Sequence, residues 1–414
     1  MSTETVTISR LGAQGHCVAQ NVSGPVFVPY ALPGETVAIA RNGSHGAIMS
    51  FGQTAPERVE PPCRHFDPDR DACGGCSLQH LAKPSYNAFK RQLVVDILAG
   101  RGLDVEVGAL VECRPGERRR TVFSVRQTEK ELLLGFNRTE TNHIVSIQEC
   151  WIASPGIVAR LPAIRAVASA LASGSETFRL AVLETLSGLD IAAEGLKPLG
   201  DKQRRAVTET VLSLKGIARV SVNNETVIEP QKPLIEFGGV QVSPPPGSFV
   251  QATKPAEDAM AELVLAHLGK AKKVIDLFAG SGTFSLRIAR KAKVHAVEGE
   301  DKPLKALDAA ARNTQGLKPV TIEKRDLFRR PMTTQELKAF DALVFDPPRA
   351  GAEAQVKEIA RSGIKTIAAV SCNPVTLARD LRILVDAGYR IKSVTPIDQF
   401  LWSSHVETVA LLTK

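Results

Sequence analysis

The chain contains no uninterrupted apolar run of about 18 residues, the length a helix needs to cross a bilayer. Its opening, MSTETVTISRLG, lacks the basic segment and apolar core of a secretory leader, so a soluble, cytoplasmic protein with no membrane partner is expected. No internal repeat appears, and no low-complexity stretch beyond Pro244–Pro246, which sets aside repeat architectures. Cysteine is sparse: seven in 414 residues, odd in number and unevenly spaced. That pattern argues against an oxidised disulfide framework and leaves metal ligation or catalysis in a reducing compartment. Acidic side chains are outnumbered, 44 against 52 Lys plus Arg, for a net charge of +8. The excess favours a polyanionic partner over an acidic protein or a neutral metabolite, although a solvated basic surface gives the same figure. The length suits about three domains, each with its own core.

The most informative stretch present is TIAAVSCNP, Thr366 to Pro374. It runs an apolar strand pattern into Cys372 and breaks it with Asn373-Pro374. A cysteine at the C-terminal end of a strand sits where open α/β sheets bind and transform ligands. Two further segments give that placement chemical content. DLFAGSG, Asp276 to Gly282, reads as a strand turning into a helix near Thr283, with Gly280 and Gly282 allowing a tight turn and close backbone approach to a ligand. DPPR, Asp346 to Arg349, ends another strand with prolines that hold the carboxylate at the sheet edge.

Three regions differ in rhythm. Residues 1–58 alternate short β-rich runs with Gly, Pro and Asn turns, as a small β-barrel does. PERVEPP, Pro56 to Pro62, reads as a linker. Residues 59–242 open on a cysteine cluster and an amphipathic helix at Ser85 to Gly102. They then mix strands (ELLLGF, HIVSI, RVSV, TVIE) with helical runs such as Gly156 to Ala172, an α+β pattern. Residues 243–414 alternate strands with single helices, from a helix at Pro255 to Leu268 onward, which implies a parallel doubly wound sheet. The last two strands are expected to pair as a hairpin at its edge.

The cofactor turn resembles the first motif of class I S-adenosylmethionine-dependent methyltransferases. The second strand ends in VHAVEGE, which places Glu298 to bind ribose hydroxyls some 20 residues after the glycines. Asp326, read as ending the third strand, is the candidate for the adenine end. Amino methyltransferases usually carry an aromatic residue after a motif like DPP; here Arg349 follows, and the chemistry shifts to Cys372. Carbon 5 of a pyrimidine is too poor a nucleophile to take a methyl group directly. A thiolate adding to carbon 6 makes an enolate whose carbon 5 can attack a sulfonium, after which a base must remove the carbon-5 proton. Glu407, in SSHVETVALL just before the last strand, is the candidate base, with His405 the second choice.

SCNPVTLARDL, DPPRAG, DLFAGSG and HVETVALL together resemble, in order, the signatures of the RNA uracil-5-methyltransferase family, and VFVPYALPGETV at Val26 to Val37 resembles the TRAM domain. The resemblance implies a C-terminal Rossmann-like S-adenosylmethionine domain, an N-terminal oligonucleotide-binding-like barrel and an α+β middle domain with an iron-sulfur cluster. It carries the nucleophile to Cys372 and the base to Glu407. Cofactor contacts fall on Gln251, Phe278, Gly280, Thr283, Glu298, Asp326 and Asp346, while Phe249 and Gln251 in SFVQAT match the family's FxQ motif. Gln251 and Asp346 would also face the uracil edge.

Cys63, Cys73 and Cys76 include one CxxC pair, and Gly74-Gly75 lets backbone amides approach a metal. Spacing alone leaves the fourth ligand open, with structural zinc as the rival. The resemblance supplies Cys150, in QECW, and a 4Fe-4S cluster, in a structural or RNA-orienting role. An insertion around Asp67 to Arg70 should loop outward, and Cys17 and Cys113 are assigned to packing. ERRRTVFSVRQ, Glu117 to Gln127, offers arginines for phosphates. Flipping of the target base would let Phe249 stack on it. The implied partner is RNA, with 23S rRNA preferred to tRNA, and the implied state is a monomer. An RNA cytosine-5 methyltransferase, an amino methyltransferase using Asp346 and a non-catalytic RNA-binding cluster protein are the alternatives. The chain departs from the family at Thr253, at Leu401-Trp402-Ser403 where a PHT-like triplet is common, and at Thr283 where asparagine is common.

Overall fold

The computed structural model describes residues 2–21, 24–67 and 72–414. Five short runs with one buried face close into a barrel: β1 (Ser2–Leu11), β2 (Cys17–Asn21), β3 (Gly24–Val28), β4 (Thr36–Asn42) and β5 (His45–Gln53), in the order β1-β2-β3-β5-β4. Alternation drives closure. Val6 and Ile8, Val26 and Val28, Val37 and Ile39 all point inward with Cys17, whose Sγ donates to the Ala31 carbonyl at 3.0 Å. At the barrel's exit the buried Glu35 accepts N–H groups of Leu32 and Ala55 and the Arg58 guanidinium, so the following segment leaves at a fixed angle. Residues 68–71, which hold most of the expected insertion, lie outside the described residues.

Next come α1 (Lys83–Ala99), β6 (Arg120–Gln127), β7 (Leu132–Asn137), β8 (Ile144–Ser146), α2 (Pro155–Val158), α3 (Leu161–Leu171), β9 (Phe178–Thr185), β10 (Gly188–Glu194), α4 (Asp201–Ser213), β11 (Ile217–Val222) and β12 (Glu225–Ile228). The strands form one sheet, β12-β11-β10-β9-β6-β7-β8, with α3 and α4 packed over it. The helical run expected from Gly156 to Ala172 is divided into α2 and α3. Pro162, which has no N–H to donate, sits in the first turn of α3, where none is needed.

The remainder comprises β13 (Ile235–Phe237), β14 (Val240–Val242), α5 (Lys254–Leu268), β15 (Lys273–Leu277), α6 (Ser285–Ile288), β16 (Lys293–Glu298), α7 (Asp301–Arg312), β17 (Val320–Lys324), α8 (Thr334–Leu337), β18 (Ala342–Phe345), α9 (Glu353–Ser362), β19 (Thr366–Ser371), α10 (Pro374–Asp386), β20 (Arg390–Ile397) and β21 (Glu407–Thr413). The main sheet runs β17-β16-β15-β18-β19-β21-β20. It is parallel through β19; β21 then inserts antiparallel between β19 and β20, so the terminal hairpin forms with its second strand inside. β15, β18 and β19, covered on both faces, read as near-continuous apolar runs.

One packing relation crosses the sequence order. Val94 and Leu98 of α1, with Leu103 and Val107, share a core with Ile275, Leu343 and Ile367, and Val107 and Val111 form bridges to Val394 and Ile397 of β20. The stretch around 83–111, expected within the middle region, is built into the C-terminal sheet. Among the described residues no helix is long and apolar enough to cross a membrane.

Candidate active site

The turn after β15 is made by backbone conformation rather than side-chain capping. Phe278 has φ 62°, Gly280 φ 53° and Gly282 φ 102°, so three left-handed residues reverse the chain before α6. At Gly282 the positive φ strains any other residue, and a Cβ would also press on Leu286 and Leu307 at 3.0 Å. The helix begins at Ser285, two residues later than expected, leaving Thr283 in the turn. Glu298, last in β16, accepts the Gly280 N–H at 2.9 Å through one oxygen and the Glu300 N–H at 2.9 Å through the other. The acidic strand end therefore braces the turn. Asp276 is buried with Oδ2 accepting from Ser285 Oγ at 2.6 Å and Oδ1 unpartnered; burial pushes its carboxyl up to about 7. Asp326 does not end a strand, since β17 stops at Lys324. Its exposed carboxyl accepts the Phe328 N–H at 3.0 Å, in a turn that lays the Phe328 ring 5.6 Å from that of Phe278.

Cys372 follows β19 directly. Ser371 and Asn373 exchange hydrogen bonds around it, Asn373 Oδ1 caps α10 by accepting the Val375 N–H at 3.1 Å, and Asn373 Nδ2 donates to the Arg349 carbonyl at 2.9 Å. The loops after β18 and β19 are thus laced together, and the half-buried thiol stands between Asp346, Arg349 and Glu407. Burial first, then the charges of Glu407 and Asp346, push the thiol up to about 11, and Arg349 opposes them. Glu407, the first residue of β21, is 2% exposed. Burial and the neighbouring Asp346 carboxylate push it up, and burial does the same to Asp346. Two amides join the carboxylates: Gln251 Nε2 donates to Asp346 Oδ2 at 3.0 Å, and Gln399 Nε2 donates to Gln251 Oε1 at 2.8 Å and to Glu407 Oε2 at 2.5 Å. Glu407 Oε1 is buried without a partner. His405 is exposed and lies against the Phe400 ring.

The loop between β20 and β21 is held from outside the sheet. Lys90 of α1, 0% exposed, donates to Asp398, 1% exposed, at 2.6 Å, and to the Phe400 carbonyl at 3.0 Å. Tyr86 donates to the other Asp398 oxygen at 2.7 Å and accepts the Trp402 N–H at 2.9 Å. Trp402, at φ 58°, gives its carbonyl to the N–H groups of Ser77 and Leu78. The loop that departs from the PHT-like triplet is thereby tied to the segment carrying Cys73 and Cys76. Thr253, another departure, is the N-cap of α5, its Oγ1 accepting the Ala256 N–H.

The arginines of ERRRTVF divide by strand alternation. Arg119 is spent inside, on Glu257 at 2.5 Å and the Gln251 carbonyl at 3.2 Å, and Arg287 closes the other side of Glu257 at 2.7 Å. It is not available to phosphate, against expectation. Arg118 and Arg120 share the opposite face and make no ion pair among the described residues. Arg118 lies over Phe400, and Arg120 lies over Phe249, whose ring is 68% exposed.

Cys63, Cys73, Cys76 and Cys150 line one small pocket with Phe136 and Trp151, all four as free thiols. Gly74 is required there, because a Cβ would meet the Asn137 carbonyl at 2.6 Å. Burial raises all four thiols, Cys73 to about 11, and Arg118 opposes this at Cys150. As they stand, no three His, Cys, Asp or Glu side chains form a metal-holding group among the described residues. The donor set, four soft thiols around one pocket beside a buried cation, still fits iron-sulfur or zinc chemistry.

Gln399, Lys90 and Asp398 escaped sequence reading. Gln399 becomes visible only when the β20–β21 register, which pairs Ile397 with Glu407, is known.

Residues 239–414 match the family described as tRNA (Uracil-5-)-methyltransferase. The chain is 68% identical to an uncharacterized RNA methyltransferase of Rhizobium meliloti over the full length of both. It is 29% identical to the 23S rRNA (uracil(1939)-C(5))-methyltransferase of Pectobacterium atrosepticum, over 98% of this chain and 93% of that one. The fold superimposes with a TM-score of 0.78 on the Pyrococcus abyssi tRNA (uracil-54, C5)-methyltransferase, solved with S-adenosyl-L-homocysteine, at 23% identity and 99% coverage of each chain. With its sheet order, its glycine turn and a thiol set against buried carboxylates, the chain belongs to the RNA uracil-5-methyltransferase family.

Proposed function

We propose that the protein methylates carbon 5 of one uridine in RNA, with S-adenosylmethionine as donor, Cys372 as nucleophile and Glu407 as base. The carrying observation is the thiol at the end of β19 set against a buried carboxyl whose Oε1 has no protein partner. Cys372 Sγ, as thiolate, adds to carbon 6 of the uracil, and carbon 5 gains nucleophilic character. The bound cofactor supplies an electrophilic methyl and leaves as the thioether. Glu407 Oε1 then takes the carbon-5 proton; the electrons of that C–H bond restore the ring double bond and expel Sγ. The start of α10 and Arg349 favour the thiolate and oppose, without cancelling, the upward push of burial and the two carboxylates.

Gln251, Phe278, Gly280, Thr283, Glu298, Asp326 and Asp346 are the proposed cofactor contacts. The Glu298-braced turn supports this for the ribose end, and the Phe278 and Phe328 rings beside Asp326 support it for the adenine end. Gln251 and Asp346 face the uracil edge. Cys63, Cys73, Cys76 and Cys150 would hold a 4Fe-4S cluster, which stiffens the segment that grips Trp402; nothing in methyl transfer needs its electron. The barrel of residues 1–58, the middle region 59–242 and the catalytic region 243–414 divide the work of binding RNA, orienting it and reacting, in a cytoplasmic monomer. 23S rRNA is the substrate, a reading supported by the Pectobacterium relative; tRNA is the second reading, favoured by the fold match.

Incubating the protein with labelled cofactor and total RNA from a strain lacking it, then mapping the labelled nucleotide, tests the assignment. The expected product is 5-methyluridine at one position of 23S rRNA. Label in tRNA alone would transfer the reading to tRNA, and label on cytidine or on an amino group would overturn it.

A further inference from the structure

Gln399 follows β20 by two residues and is 1% exposed, among the buried polar groups Gln251, Asp398 and Glu407. Both N–H donors of its amide and one lone pair of its oxygen are used. Nε2 donates to Glu407 Oε2 at 2.5 Å and Gln251 Oε1 at 2.8 Å, and Oε1 accepts the Ala252 N–H at 3.0 Å. Turned over, the same amide would set its carbonyl against two acceptors and its NH2 against an N–H, so its orientation is fixed by its surroundings. One oxygen of Glu407 is thereby committed, and the other is left buried and unpartnered.

We propose that Gln399 is a positioning residue for the carbon-5 deprotonation: it clamps Glu407 by Oε2, presents Oε1 to the substrate, and joins the base through Gln251 to Asp346. The inference rests on the proposed role of Glu407. The row Asp346, Gln251, Gln399, Glu407 acts as one unit, so the groups at the uracil edge and the group that removes its proton keep a fixed spacing. The amide N–H also favours the carboxylate form of Glu407, opposing burial and Asp346; Cys372 is the other titrating group facing it.

The test uses the full-length protein with its target RNA and two variants, Gln399→Met and Gln399→Glu. The second keeps an acceptor for the Ala252 N–H and carries the test if the first fails to fold. Adduct formation with 5-fluorouridine RNA, which stops before deprotonation, should proceed near the wild-type rate. On unmodified RNA the methylated covalent adduct should live at least about 10-fold longer. In the Met variant the rise of release rate with pH should move to higher pH, because the base has lost a donor that favours its ionised form. A wild-type adduct lifetime and pH profile in a folded variant would overturn the inference. Glu407→Gln separates the two levels: if it too accumulates no adduct, the base assignment has failed, whereas accumulation there but not in the Gln399 variants removes Gln399 alone.

Discussion

Cys372 and the quartet Cys63, Cys73, Cys76 and Cys150 are all free thiols, but their neighbours differ in kind. The quartet faces other sulfurs, apolar groups, the Arg118 guanidinium and a single carboxylate, Glu149. Cys372 faces two carboxyl groups and Arg349, with a helix start beneath it. Ionised together, four clustered thiols would repel one another unless a cation sits among them. A single thiol beside a carboxyl suits the proposed bond formation followed by proton removal. The lesson is that burial raises both sets, and that the nearest charged neighbours decide what each sulfur can do.

The sharpest way to break that comparison is to exchange sulfur for carbon or oxygen in each region. Cys372→Ala should lower 5-methyluridine formation by at least about 10⁴-fold and leave thermal unfolding nearly unchanged. Cys76→Ser should reverse the pattern, lowering the melting temperature while a 5-fluorouridine adduct still forms on the protein that remains folded. Equal loss of turnover with equal stability in both would show that the two sites are one functional unit.

Between the two regions lies the buried Lys90–Asp398 pair. Lys90→Met should destabilise the protein by about 3–5 kcal/mol, because Asp398 is left buried without its cation. Lys90→Met combined with Asp398→Leu should recover much of that loss in denaturant titration. If the double variant is as unstable as the single one, the pair is not the link.

The carboxyl side predicts a pH effect of known sign. Glu407 is raised above its ordinary value by burial and Asp346. The folded state therefore holds a proton that the unfolded chain has released, and the stability this contributes is full below the ordinary carboxyl range and lost as pH rises through the folded value. Unfolding free energy should fall from pH 5 to pH 8, and Glu407→Gln should remove on the order of 2 kcal/mol of that fall. An unchanged slope would mean that Glu407 is not held neutral.

The smallest effect separates the arginines. Arg118→Ala and Arg120→Ala should each reduce the salt-dependence slope of RNA binding by about one, the mark of a lost phosphate contact. Arg119→Ala should leave the slope alone and lower stability, since it strips a partner from the buried Glu257. A change of slope in the Arg119 variant would place RNA where the structure has an ion pair.

Much of the C-terminal region was legible because its signals are local. Gly280 and Gly282 mark a turn that L side chains resist, Asn373-Pro374 both ends a strand and starts a helix, and the apolar runs of β15, β18 and β19 have no polar face to misread. The strand carrying Cys372 and the position of Glu298 follow from such rules. Strands β9 and β10 were harder to read: they pair with each other across a tight turn, but both lie in the interior of a mixed sheet whose other neighbours, β6 and β11, are separated from them in sequence. Asp326 was misplaced by two residues because β17 is an edge strand, and little packing fixes where an edge ends.

The sequence by itself determined the order of the elements, the glycine turn, the thiol at a strand end and the supply of carboxylates, since each depends on backbone preferences within a few residues. Only the tertiary structure decided that α1 belongs to the C-terminal core, that Arg119 is paired with Glu257 while Arg118 and Arg120 lie over aromatic rings, and that Gln399 holds Glu407 across the β20–β21 hairpin. Those facts rest on which surfaces meet and on which buried polar atoms must find partners, and the contacts that satisfy them join residues as far apart as Lys90 and Asp398.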